Sequence, residues 1–168
     1  MPSRLFPPRI DNDYRGHRLA IWLLAPIMLV KFLMGLNVAG LNPWISNRWI
    51  IQIADRIPIE SYGAEAASTV MFLFASWGLM LFVLSSLGIA VLIRYRAMIP
   101  LMYLLLLIEQ FGRAGIISRA NPIVRAVKTG DLSFAFLINW GFVALLAIGF
   151  ALSLGGAGEA ISEGKGPA

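Results

Sequence analysis

Four stretches almost without charge limit what this chain can fold into: residues 19–41, 66–93, 97–117 and 132–158. The first is interrupted only by Lys31, the third only by Glu109 and Arg113. A helix needs about 20 apolar residues to cross a hydrocarbon core about 30 Å thick, and every stretch has that length. Charged residues make up 14% of the chain, against about 25% in an average soluble domain, too few to cover a water-facing surface. The expected fold is an all-α integral membrane protein of four transmembrane helices, near 19–41, 67–93, 97–118 and 132–154. These form two like-oriented hairpins. Residues 1–18 are expected as an N-terminal tail and the glycine-rich residues 155–168 as a disordered C-terminal tail, with residues 2–8 reading as disordered too. The first stretch exceeds the 7–15 apolar residues of a signal peptide and contains Lys31, so it reads as a retained span.

Composition also excludes chemistry. The chain has no cysteine and a single histidine, His17. Disulfides, thiolate nucleophiles, cysteine-ligated iron–sulfur clusters and a bis-histidine haem are therefore ruled out, and no metal or cofactor is expected. The longest connector, residues 42–65, falls far below the ~50 residues of a small independent domain, so no appended soluble catalytic domain is expected. The net charge of +5 sits beside the spans, which points to a bilayer with anionic headgroups and not to nucleic acid.

Loop charges give an orientation. Arg4, Arg9, Arg15, Arg18, Arg94, Arg96 and Lys165 share one side, and Arg48, Arg56, Arg119, Arg125 and Lys128 the other. The excess on the first side predicts that both termini are cytoplasmic, and the short Arg94-Tyr95-Arg96 turn is the kind of loop the rule governs best. On the opposite side, Asn42-Pro43 and Asn121-Pro122 each combine a capping residue with proline at the first helical position. They predict two interfacial helices, near 43–57 and 122–129, with Gly130 stopping the second. In the first, Trp49, Ile50, Ile53, Ala54 and Ile57 gather on one side, as in a helix lying at headgroup depth, while Ile51 falls near the polar side. The span layout, two hairpins joined by a short basic turn, is similar to that of many small bacterial inner-membrane proteins, the DoxX-like group among them. That likeness is one of layout, shares no motif and assigns no site residue; it places the expected location in a bacterial inner membrane.

The two hairpins align with each other. Arg15/Arg18 corresponds to Arg94/Arg96, Lys31 to Glu109, Asn42 to Asn121, and Ser76-Trp77-Gly78 to Asn139-Trp140-Gly141. Lys31 follows Arg18, and Glu109 follows Arg96, by 13 residues, about 20 Å along a helix. Both charges are thus expected at one depth, where opposite signs can pair. Arg113 lies four residues beyond Glu109, suited to an i,i+4 pair. Asn139 and Ser76, together with Asn37 and Gln110, reach a similar level from neighbouring segments. The candidate ligand or ion pathway is therefore the polar layer Lys31, Glu109, Arg113 and Asn139.

Charges at such depth are costly, face inward, and either clamp helices together or line a path. The expected function is a structural or accessory subunit, or a lipid-contacting partner, in a membrane assembly or homo-oligomer. The alternative is a small oligomeric carrier or ion-conducting protein using the Lys31/Glu109/Arg113 layer. An enzyme is disfavoured, since the layer offers only Glu109 as a base with Lys31 beside it. Among the glycines, Gly78, Gly88, Gly141 and Gly149 are candidates for close helix contact.

Overall fold

In a computed structural model of the chain, the described residues are 5–55, 57–113 and 134–155. Their regular elements are helices: α1 (Arg18–Val38), α2 (Asn47–Asp55), α3 (Ala64–Arg94), α4 (Ile99–Phe111) and α5 (Phe134–Leu154), with short 3₁₀ turns at Ile59–Ser61 and Arg96–Met98. Two helices, α1 and α3, are long and apolar enough to cross a membrane. The expected second interfacial helix at 122–129, the Gly130 stop, the end of the third span beyond Arg113 and the tail from residue 156 lie outside the described residues.

The chain divides into two compact units, one of Met1–Leu24 with Val91–Ala168, the other of Ala25–Ala90. In the second unit, the stripe Ile27, Met28, Lys31, Gly35 and Val38 is buried on α1, and Gly78, Leu81, Ser85 and Gly88 are buried on α3. Their spacing of three and four places each set on one helix face. Two glycines let the backbones approach. A Cβ on Gly35 would lie 2.5 Å from Phe82 N and 2.8 Å from Phe82 Cα, and one on Gly78 would collide with Ala39 N and Val38 C. The rings of Phe32 and Phe82 close the same crossing, 4.9 Å apart.

α1 ends three residues before the expected boundary at 41. Gly40, at φ +72°, donates its N–H to Asn37 O while Leu41 N–H reaches back to Leu36 O, the paired bonds of a glycine-terminated helix. The interfacial helix also starts later than Pro43. Asn42 accepts from Trp44 N–H at 3.0 Å, but its amide is tied back to Asn37 Oδ1 at 2.6 Å. Held there, residues 43–45 only bend, and the first helical bond runs from Ile50 N–H to Ser46 O. α2 buries a residue outside its apolar side. Ile51 is fully buried, whereas Trp49 and Ile53 are 54% and 58% exposed. The side that packs on protein is therefore not the most apolar one.

In the first unit α4 packs on α5, with Phe111 and Trp140 edge to face at 6.4 Å. Pro100 sits in the first turn of α4, where its missing N–H has no consequence. Tyr103 joins three helices. It is fully buried, its hydroxyl donates to Ala20 O on α1 at 2.7 Å, and its ring occupies the space a side chain at Gly149 on α5 would need. Tyr103→Phe is expected to cost about 1 kcal/mol, the net value of a typical hydrogen bond. A thermal melt in detergent should register this as a drop of about 2–4 °C.

The N-terminal tail is tied to the unit through residues 11–17. His17 N–H donates to Leu152 O at 3.1 Å, Ala97 N–H donates to Asp11 O at 3.3 Å, and Gly16 is buried against Ser153 O. Helix ends leave backbone groups without partners inside the helix, and this segment satisfies them at the end of α5 and before α4. The starts of α1 and α4 and the end of α5 thereby meet at one end of the unit. The aligned hairpins, however, are not equivalent in packing: Gly78 is at a backbone crossing, but nothing lies within 4 Å of a Cβ built on Gly141.

Candidate functional site

The polar residues of α4 gather at its C-terminal turns. Glu109 and Arg113 form an i,i+4 ion pair, Nε to Oε1 3.5 Å, with their side chains 20% and 27% exposed. Arg113 Nη2 donates to Gln110 Oε1 at 3.0 Å, and Gln110 is 1% exposed. The acid precedes the base along the helix, the favourable order for such a pair. The helix widens into a π turn at Gly112–Arg113, and Gly112 N–H shares Ile108 O and Glu109 O. One cation and one anion lie one turn apart here, with the Gln110 amide beside them.

Lys31 belongs to the other unit. It is 5% exposed and occupies the middle of the buried stripe of α1, among residues that are otherwise apolar or small. Leaving a lysine in that position is expensive unless its charge is compensated. Asn139 lies on the helical backbone of α5. Ser76 does not join a buried layer: it is exposed, and its hydroxyl donates to Phe72 O on its own helix at 2.8 Å. Asn37 serves the α1 terminus through Asn42 instead. Of the expected polar layer, Glu109, Arg113 and Gln110 lie together, because four residues along one helix suffice to join them. It passed over Tyr103, whose signal was a phenol in an apolar run, a group that needs a partner once buried.

A second polar region forms where the N-terminal segment folds back. A cleft of about 70 Å³ there is lined by Arg9, Tyr14, Arg15, Gly16, Pro100 and Ser153, among others. Tyr14 donates to His17 O at 3.2 Å, and burial pushes its phenol up to about 12, so it stays a donor through the physiological range. His17 Nδ1 accepts from Leu19 N–H at 3.2 Å and caps α1. Among the described residues no three acidic or histidine side chains converge as a metal site. No protein-family model, curated protein or solved structure matches the chain.

Proposed function

We propose that the chain is a multi-pass inner-membrane protein that serves as a structural or accessory subunit, in contact with anionic lipid, within a membrane assembly. In this reading α1, α3, the segment begun by α4 (97–118) and α5 (132–154) are four spans. The carrying observation is an inversion of the usual exposure pattern. Trp22, Phe72 and Met80 are 75%, 70% and 73% exposed, while Lys31 and Gln110 are 5% and 1% exposed. In water such a surface would be unstable, since apolar patches of this extent are rare on soluble monomers. In hydrocarbon it is the stable arrangement, because lipid tails solvate the outside and polar groups must find partners inside.

A structural role is favoured over a carrier because the Glu109–Arg113 charges cancel within one helix and so require no ligand. The shared end of α1, α4 and α5 fits two hairpins of like orientation with both termini on one side. α2 fits an interfacial helix: Ile51 packs inward, and Trp44, Trp49 and Ile53 face outward as an aromatic belt would. Ser46 stands at the start of that helix and is exposed. The native chain has no cysteine, so Ser46→Cys is a single reporter. It is expected to react with a membrane-impermeant maleimide applied to intact cells. Labelling only after permeabilisation would invert the topology.

A further inference from the structure

The end of the first unit where residues 5–17 fold back combines charge with apolar surface. Five exposed arginines, at 9, 15, 18, 94 and 96, stand there against two acids, Asp11 and Asp13. Both acids are engaged within the segment's own turn. Asp11 Oδ1 accepts from Asp13 N–H at 3.1 Å, and Asp13 Oδ2 accepts from Arg15 Nε at 3.4 Å. The latter bond uses one of five guanidinium N–H donors, and the Arg15 side chain stays 68% exposed. α1 and α4 both begin at this end, adding the partial positive charge of two helix N-termini. Arg9 and Arg15 line the cleft itself, together with Asp11 and Asp13.

Beside these cations the surface is apolar. Trp22 follows Arg18 by one helical turn, Ile93 adjoins Arg94, and Phe6 and Ile10 flank Arg9, all more than 60% exposed. A soluble phosphate or a nucleic acid would use the arginines and leave these side chains in water. A phosphate ester carrying acyl chains uses both. We propose that this cleft holds the headgroup of an anionic phospholipid, with Arg9 and Arg15 on the phosphate and Trp22 along the acyl chains. The assignment rests on the membrane reading above and gives it a specific lipid class and place.

The full chain, purified in detergent, is exchanged into nanodiscs of phosphatidylcholine with or without phosphatidylglycerol, and lipid retained on the protein is measured by native mass spectrometry. Phosphatidylglycerol should be retained over phosphatidylcholine, and Arg9→Gln with Arg15→Gln should reduce that preference about 25-fold, at about fivefold per basic residue near an anionic lipid. Arg9→Lys with Arg15→Lys keeps the charge and should retain the preference within a few-fold, which separates binding from misfolding. Arg48→Gln, which changes net charge in the other unit, should have no effect. Equal retention of the two lipids, or an equal loss in Arg48→Gln, would overturn the site. So would displacement of phosphatidylglycerol by millimolar inorganic phosphate or by an oligonucleotide, since either would mean that the acyl chains contribute nothing. A chain that stays monomeric and folded in water without detergent refutes the membrane reading itself, a result distinct from a detergent-bound chain with no lipid preference.

Discussion

Gly78→Leu is expected to destabilise the protein by about 3 kcal/mol or more, at the upper end of the range for overpacked sites. Even a methyl group at Gly78 would meet the α1 backbone at Val38 and Ala39, and backbone cannot rotate aside as a side chain can. The reciprocal position behaves alike, because a Cβ on Gly35 meets Phe82 N and Cα. In a melt followed by circular dichroism in detergent, about 3 kcal/mol corresponds to a fall of about 6–12 °C. Gly141→Ala is the control. Among the described residues nothing lies within 4 Å of a Cβ at Gly141, so alanine there should be neutral or gain up to about 1 kcal/mol of helix propensity. If Gly78→Ala and Gly141→Ala melt alike, the close crossing of α1 and α3 is wrong.

Glu109→Gln should cost about 2 kcal/mol, taken below the 3–5 kcal/mol of a fully buried pair because Glu109 and Arg113 keep some exposure. The substitution leaves the bond from Arg113 Nη2 to Gln110 Oε1 in place. Combining Glu109→Gln with Arg113→Met should recover most of the loss, since the neutral double variant has no charge left to compensate. A double variant as unstable as the sum of the singles would mean that the pair contributes nothing. Lys31→Met is expected to cost less than Glu109→Gln, because methionine fills a similar volume in the buried stripe of α1. Should Glu109→Gln lower stability yet leave the activity of the host assembly intact, the charges are structural; loss of activity at full stability would favour the carrier.

What was legible in the sequence is what depends on near neighbours along the chain. Long runs without charge produce the helices α1, α3 and α5, of which α1 and α3 are long and apolar enough to cross a membrane, because apolar side chains leave the backbone no better partner than itself. Pro100 opens α4, Arg96 Nε donates to Leu92 O at 3.0 Å, and Glu109 finds Arg113 one turn on. Each of these is decided within four or five residues. The faces that pack were decided only by the tertiary structure. α1 and α3 are apolar on every side, so hydrophobic periodicity, which marks the buried face of a soluble helix, carries no information about which side meets a neighbour. That choice fell to the smallest residues, Gly35 and Gly78, where backbones can touch, and to polar groups that needed partners, Tyr103 on Ala20 O and His17 N–H on Leu152 O. The same logic moved the start of α2 to Asn47 and turned Ile51 inward: Asn42 was already held by Asn37, and a helix whose apolar side faces outward packs on protein with whatever residue remains.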